Sequence, residues 1–279
     1  MRAIVRLETD VKKIIELEEK GVKVFKVDIT NKNEISKHCI GANCLVSALA
    51  GLRETIIDVQ RTFLDAAIEA KVPRFIPSDY SIDFTNLKEG QNRNLDIRRE
   101  FHRYLDKTPI KATTIFNGAF MDLLTTDMPL ILFKQKRILC WGIPSQIIEF
   151  TTTYNVAEFT AEAAIDESSP RFLKIAGDRL SCNDFVKLLT ELTNENYKLF
   201  RPGGIGLLNL VIKLTRFFAP SKKELYPAWQ GMQYMRDMME GRIVFQKYDN
   251  ERYPNITWTS AKDFLIKSKI SLNHPNDNR

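Results

Sequence analysis

Residues 66–81, AAIEAKVPRFIPSDYS, carry the pattern that decides the fold prediction. The alanine-rich part is typical of the end of an amphipathic helix, and the apolar residues Phe75 and Ile76 then predict a short buried strand. The polar loop Pro77–Ser81 follows the strand at once. A helix that runs directly into an apolar strand is typical of a parallel α/β sheet, in which ligands bind beyond the carboxyl ends of the strands.

The same alternation of strand and helix extends to both sides of this stretch. Further strands are predicted at RAIVRL (2–7), VKVFKVDIT (22–30) and NCLVSALAG (43–51), and a further strand with its exit loop is predicted at IKATTIFNGAF (110–120). Helices are predicted at VKKIIELEEKG (11–21), NKNEISKHCIGA (31–42), RETIIDVQRTFLDAAIEAKV (53–72) and DIRREFHRYLDK (96–107). We therefore expect an α/β fold with a Rossmann-like, doubly wound parallel sheet.

The alternation fades after Phe120, which predicts two domains. Residues 1–125 are expected to form the Rossmann-like nucleotide-binding domain, with a late strand near residues 172–177 added to it. Residues 126–279 are expected to form a smaller, C-terminal substrate domain.

Composition narrows the classes of function. The formal net charge is +6, but the 41 Lys and Arg residues are scattered among 35 acids, which does not indicate a nucleic-acid module. The four cysteines form no CxxC pair and no histidine stands at a zinc-like spacing, so we expect no metal site and a reducing, cytoplasmic location. The most apolar segment, GIGLLNLVIKL (204–214), is too short to span a bilayer, and we expect no membrane partner.

Two features bear on a dinucleotide cofactor. Arg6 ends the strand RAIVRL, and an arginine after the second strand of a Rossmann fold accommodates the 2′-phosphate of NADP, although a plain surface arginine explains the residue equally well. The glycine-rich stretch RPGGIG (201–206) has no predicted strand before it, so we expect it to be a loop that leads into an amphipathic helix.

Taken in order, the strand ends resemble those of the NmrA-like branch of the atypical short-chain dehydrogenases, which includes the isoflavone-reductase-like enzymes. The resemblance rests on MRAIVR (1–6), GVKVFKVDITN (21–31), VSALAG (46–51), VPRFIPSDYS (72–81) and NGAFMD (117–122). It continues through EFTTTYNVAEFTAEAAID (149–166) and FLKIAGDRLSCNDFVKLLTELT (172–193), so it covers nearly the whole chain.

The resemblance implies NADP(H) binding and assigns residues to it. Arg6 would contact the 2′-phosphate, and Asp28 would lie near the adenine. Ala48 and Leu49 would flank the adenine and ribose. The nicotinamide side of the cleft would be formed by Ser78 and Asn117.

The chain departs from the family pattern at its start. Family members begin with a strand and a GxxGxxG-type loop, whereas this chain begins within what would be their second strand. We expect the chain as written to lack a central strand and the pyrophosphate-binding loop, through a misassigned start or, second, as a shortened pseudoenzyme. NADP binding should then be weak or absent, and stability low.

A second departure concerns catalysis. The family's catalytic lysine is replaced by Arg98, or by Arg99 if the alignment shifts by one residue, and an arginine is a poor proton donor. His102, one helical turn after Arg98, would be the best general acid if that face lines the cleft, although a surface histidine is the simpler interpretation. Tyr80, beside the predicted strand exit, is a third candidate.

These observations leave more than one function open. The first hypothesis is an NADP-dependent oxidoreductase acting on a small apolar or aromatic substrate. The alternatives are a non-catalytic NADP(H)-sensing protein with a regulatory protein partner, and an N-terminally truncated remnant.

Overall fold

A computed structural model describes residues 1–126, 128–242 and 244–268. The chain forms two compact units. Unit 1 comprises Met1–Asp79, Ile97–Thr114 and Ala163–Arg171, and unit 2 comprises Tyr80–Asp96, Ile115–Glu162 and Phe172–Arg279. The predicted division near residue 125 stays a prediction.

The described residues form strands and helices in alternation through the first part of the chain. The strands are β1 (Arg2–Arg6), β2 (Lys23–Val27), β3 (Cys44–Val46), β4 (Arg74–Ile76), β5 (Lys111–Ala112), β6 (Thr114–Phe116), β7 (Ala119–Phe120), β8 (Ile131–Leu132), β9 (Arg137–Trp141), β10 (Ile148–Thr151), β11 (Phe172–Lys174), β12 (Asp178–Leu180) and β13 (Lys198–Gly203). The helices are α1 (Val11–Glu19), α2 (Lys32–Cys39), α3 (Gln60–Glu69), α4 (Arg93–Leu105), α5 (Thr153–Ile165), α6 (Cys182–Thr193), α7 (Ile205–Phe218), α8 (Ala228–Met239) and α9 (Ala261–Lys267).

Local sequence signals explain the ends of the first helices. The Asp10 side chain accepts a hydrogen bond from the Lys12 backbone N–H and so caps α1. The Asn31 side chain accepts hydrogen bonds from the backbone N–H groups of Asn33 and Glu34 and caps α2. Gly21 follows α1 with a φ of 75°, a left-handed conformation that costs glycine little and ends the helix.

The β-structure of unit 1 is parallel. β1 pairs with β2, and β4 pairs with β3 on one side and β5 on the other. Within the described residues, the ladders are β1-β2 and β3-β4-β5, and both are parallel, as in a doubly wound sheet. One hydrophobic core joins both ladders, since Val27 of β2, Leu45 of β3 and Phe75 of β4 share it. The predicted α/β, Rossmann-like fold is confirmed.

Two predicted elements differ from the structure. The segment 110–120, expected to be one strand with its exit loop, forms three short strands instead. These are β5, β6 and β7, which pair with β4, β11 and β10 respectively, so the segment changes partners along its length. The helix expected from Arg53 begins as a π-helix, Glu54–Val59, before it continues as α3. Such π-helical turns are rare and frequently occur at functional sites.

Unit 2 contains two three-stranded sheets, β12-β10-β7 and β13-β9-β8. The late strand expected near 172–177 is present as β11, which pairs with β6. The expectation that no strand precedes the glycine-rich stretch is wrong, because β13 pairs in parallel with β9 and runs directly into α7. The predicted amphipathic helix is α7 itself, and no helix in the described part of the chain is long and apolar enough to cross a membrane.

Candidate functional site

The carboxyl ends of β1 and β2 lie side by side in unit 1. Arg6 is paired with Val27 in the ladder, so Asp28 follows directly on the neighbouring strand. The Asp28 side chain accepts hydrogen bonds from both the backbone N–H and the hydroxyl of Thr30, at 2.9 and 2.7 Å, and these bonds lower the pKa of its carboxyl. The Asp28 carboxylate therefore stabilises the turn that follows β2. The neighbouring Arg6 is exposed.

A buried glutamine joins the carboxyl ends of β3 and β4. Gln60 is fully buried, and its Oε1 accepts hydrogen bonds from the Ser47 hydroxyl at 2.7 Å and from the Ser78 backbone N–H at 2.9 Å. The Ser78 hydroxyl in turn donates to the Leu49 carbonyl oxygen at 2.6 Å. The structure thus brings together Ser78 and Leu49, two residues predicted from the sequence, and Ala48 lies exposed in the same loop.

Gln60 was missed by sequence reasoning. The signal was present, because Gln60 falls on the helix face that carries Ile56, Ile57 and Phe63. A polar residue on a face that packs into the core needs hydrogen-bond partners there.

The loop after β4 also carries a buried acid–histidine pair. Asp79 is fully buried, and its Oδ2 lies 2.5 Å from Nε2 of His102 on α4. Because a carboxylate only accepts, the imidazole Nε2–H is the donor. The Thr114 hydroxyl donates to the same carboxylate oxygen at 2.9 Å. His102 is 6% exposed, so the interpretation as a surface histidine is wrong.

Arg98 reaches the same loop from α4. Its Nε donates to the Ser78 carbonyl oxygen at 3.1 Å, and the residue is 9% exposed. Arg98 and His102 therefore share the helix face that packs on the β4 exit, as their spacing indicates. Further from the pair, Arg171 donates to the Thr114 hydroxyl at 2.8 Å and to the Asp106 carboxylate at 2.9 Å.

The electrostatics of the pair favour a charged carboxylate. Burial alone raises the pKa of Asp79, but the positive charge and hydrogen bond of His102, the charge of Arg98 and the Thr114 hydroxyl together outweigh it. The pKa of Asp79 is therefore held below its usual range. A carboxylate in this position accepts the imidazole Nε2–H and so fixes the orientation of the ring, which a histidine that takes part in proton transfer requires.

The remaining predicted residues, Tyr80 and Asn117, belong to unit 2. Tyr80 is half-buried directly after Asp79. Asn117 is fully buried, and within the described residues neither its side-chain Oδ1 nor its Nδ2 has a hydrogen-bond partner. Its backbone is fixed, because its N–H donates to the Ser81 carbonyl oxygen at 3.0 Å and its carbonyl oxygen accepts from the Thr151 hydroxyl at 2.7 Å.

Gly118 explains how Asn117 is held. Gly118 has a φ of 67°, and a Cβ added there would lie 2.4 Å from the Glu149 carbonyl oxygen, so only glycine fits. An amide that is buried without partners calls for hydrogen bonds from water or a ligand.

The described residues give little support for a metal site or for a disulfide. Among them, no group of three or more His, Cys, Asp or Glu side chains is placed to hold a metal ion. The four cysteines are free thiols. His274, the last histidine in the sequence, lies outside the described residues.

Parallel strands with polar loops and a buried acid–histidine pair at their carboxyl ends define unit 1 as a Rossmann-type α/β unit. The sequence profile of the NmrA-like family matches residues 1–201. The chain belongs to the NmrA-like family.

Two curated relatives are fungal oxidoreductases. The chain is 27% identical over 199 residues to oxidoreductase BOA1 of Botryotinia fuckeliana, which covers 65% of each protein. It is 28% identical over 144 residues to an NmrA-like family domain-containing oxidoreductase of Gibberella moniliformis, with 49% of this chain and 46% of that protein covered. The chain thus spans less than two thirds of the length of either relative.

Solved structures show the same fold. An isoflavone reductase superposes with a TM-score of 0.78 at 17% identity, covering 96% of this chain and 91% of the other. The complex of leucoanthocyanidin reductase with NADPH from Vitis vinifera gives a TM-score of 0.77 at 13% identity, with 95% and 90% covered. The NADPH complex of a quinone oxidoreductase from Escherichia coli gives 0.74 at 14% identity, with 96% and 90% covered.

Proposed function

We propose that the protein is an NADP(H)-dependent oxidoreductase that acts on a small apolar or aromatic substrate. The observation that carries the proposal is the set of linked strand exits in unit 1, where Leu49, Gln60 and Ser78 are hydrogen-bonded beside the Asp79–His102 pair. Solved reductases of this fold with NADPH bound support the choice of cofactor.

The residues present fit parts of this cofactor. Arg6 is an exposed guanidinium at the end of β1, and a guanidinium binds a 2′-phosphate through paired, charge-assisted hydrogen bonds. Asp28 and the loop of Ala48 and Leu49 are proposed to border the adenosine part. Asn117 offers both an amide donor and an acceptor, which match the carboxamide of a nicotinamide ring.

When bound, NADPH supplies a hydride to the substrate. His102 is proposed to supply the proton that accompanies reduction, because the Asp79 carboxylate fixes the orientation of its imidazole. Arg98 fixes the β4 exit loop through the Ser78 carbonyl and adds positive charge there, but a guanidinium holds its proton too tightly to act as a proton donor. The half-buried Tyr80 is retained as a further candidate for substrate contact.

The second candidate function is a non-catalytic NADP(H) sensor that acts on a protein partner. The arginine at the family's lysine position favours it, because the Nε of Arg98 is engaged by the Ser78 carbonyl oxygen. The free thiols are consistent with a reducing compartment for either function, and we place the protein in the cytoplasm.

The test is calorimetric titration of the 279-residue chain with NADPH and NADH, followed by turnover assays. Those assays follow the absorbance of NADPH with quinones, aromatic aldehydes and conjugated enones. A preference for NADPH together with turnover supports the oxidoreductase, whereas NADPH binding without turnover of any substrate supports the sensor. Absence of NADPH binding would refute both the oxidoreductase and the sensor for this chain. It would agree with the third alternative, an N-terminally truncated remnant, for which weak or absent binding is predicted.

A further inference from the structure

Helix α7 in unit 2 exposes an apolar stripe. Leu208 and Ile212 on one side of the helix are 0% and 4% exposed, so this side supplies its packing against the core. A second set of large apolar side chains is 45–78% exposed: Leu207, Leu210, Leu214, Phe217 and Phe218. Their spacing of three, four and three residues, with Phe218 adjacent, places them on one face. We call this face the α7 stripe.

The chain around the α7 stripe carries only positive charge. Between Glu195 and Glu224 there is no acidic residue. The same interval contains six exposed cations, Lys198, Arg201, Lys213, Arg216, Lys222 and Lys223. Since the formal net charge of the whole chain is +6, the rest of the sequence carries as many acids as bases. The surplus charge of the protein is therefore concentrated beside its exposed apolar helix.

We propose that the α7 stripe docks the protein on an anionic lipid surface. Leucine and phenylalanine on one face with Lys and Arg at its border is the pattern of helices that lie in the interface of a bilayer. The cations are attracted by anionic headgroups, and the apolar side chains enter the boundary with the acyl chains. At 14 residues α7 is too short to span the bilayer, so it would lie in the plane of the surface.

Charge decides between this occupant and a second copy of the chain. In a two-fold dimer the same patch meets itself, so the basic segment of one copy would face that of the other. Like charges brought together in an interface oppose association, whereas an anionic surface complements the exposed lysines Lys213, Lys222 and Lys223. The proposal departs from the expectation of no membrane partner, which was drawn from the length needed to span a bilayer.

The experiment is flotation of the full chain with phosphatidylcholine vesicles that contain or lack 30% phosphatidylserine (roughly the anionic share that gives a strong surface potential). We expect binding to the anionic vesicles only, reversed by high salt. The double variant Phe217→Ser/Phe218→Ser should reduce binding at least about tenfold. Ile165→Ser, which changes an equally exposed apolar residue on α5, should leave it unchanged.

The charge arm compares two triple variants. Flotation should be abolished in the triple variant Lys213→Glu/Lys222→Glu/Lys223→Glu. The control is Lys12→Glu/Lys13→Glu/Lys20→Glu, which makes the same change in net charge on and after α1 and should retain most of the flotation. Circular dichroism checks that each variant folds.

Equal flotation with neutral vesicles, or wild-type flotation of the Phe217/Phe218 variant, would overturn the proposal. So would a dimer seen by sedimentation that this variant dissociates, since a second copy would then cover the α7 stripe.

Discussion

Asp79 in unit 1 and Asp237 in unit 2 are both fully buried carboxyl groups, yet their pKa values move in opposite directions. Asp79 is flanked by two basic groups, His102 and Arg98, and its pKa is lowered despite burial. Asp237 has Arg236 as its cation and the acidic Glu240 nearby, so burial prevails and raises its pKa to about 6. Burial of an acid therefore does not by itself determine its charge; the balance of neighbouring charges does.

The surroundings of Asp237 differ in a second way. Asn92 donates to Asp237 at 2.8 Å and accepts from Gln230 at 2.7 Å, within a cluster of buried side chains. Within the described residues, Oε1 of Gln230 has no hydrogen-bond partner. In unit 1, by contrast, Gln60 uses both of its side-chain polar atoms. Unit 2 therefore retains unmatched polar groups in its interior.

Removing the buried charge of unit 1 should have the largest effect. Asp79→Asn leaves His102 without its carboxylate, and breaking a buried pair in this way costs about 3–5 kcal/mol of unfolding free energy. Hydrogen exchange of peptides from β4 and α4 measures the loss in unit 1. Asp58→Asn, at an exposed carboxyl 4.0 Å from Arg53, is the control and should change stability by less than about 0.5 kcal/mol. Equal effects of the two variants would show that the Asp79–His102 pair contributes nothing.

Asp237 should make stability fall as the pH rises from about 4 to 6. Its pKa in the folded protein, about 6, lies above the ordinary 3.8, so in this window the folded state binds more protons than the unfolded state. At about 1.4 kcal/mol per pKa unit, the loss approaches 3 kcal/mol. Asp79 has the opposite sign, because its contribution is present at neutral pH and is lost as the pH falls below about 4 through its lowered pKa.

Tryptophan fluorescence reports on unit 2, because Trp141, Trp229 and Trp258 all belong to it. Chemical unfolding followed at these residues at pH 4, 5, 6 and 7 gives the slope of the unfolding free energy against pH. Asp237→Asn should flatten it, and an unchanged slope in this variant would assign the titration to another group.

A ligand-based test applies to unit 1 alone. In a form of the chain extended before Met1, Arg6→Ala should weaken NADPH binding by about 1.5–3 kcal/mol, the range for hydrogen bonds to charged groups, and leave NADH binding nearly unchanged. Lys26→Ala, which removes an exposed cation from β2, is the control for overall charge. Calorimetry measures the binding of NADPH and of NADH to each of the two variants, and each value is compared with that of the wild-type chain. Equal losses for the two cofactors would contradict the assignment of Arg6 to the 2′-phosphate.

The smallest effect is the difference between two buried glutamines. Gln60→Leu leaves the Ser47 hydroxyl and the Ser78 N–H without their acceptor. Gln230→Leu removes the hydrogen bond to Asn92, but it also removes Oε1, which has no partner within the described residues. We expect Gln60→Leu to cost about 1 kcal/mol more, because a stranded buried donor adds its desolvation penalty to the lost bond. Urea unfolding of the two variants measures the difference, and a larger loss for Gln230→Leu would reverse the contrast between the units.

The sequence alone determined the alternation of strands and helices, the strands within RAIVRL and NCLVSALAG, and the family. These features depend on side-chain periodicity and on hydrogen bonds between near neighbours, which short windows of sequence record. It also placed Arg98 and His102 on one helix face, because a separation of four residues fixes that relation.

Only the tertiary structure decided that His102 is buried against Asp79, that Gln60 links two strand exits and that residues 110–120 divide among three strand partners. It also decided which face of α7 is buried, since both sides of that helix are apolar and periodicity alone favours neither. In each case the deciding contacts join residues far apart in the chain. Their energies depend on burial and on neighbouring charge, which are properties of the folded chain and of no local pattern.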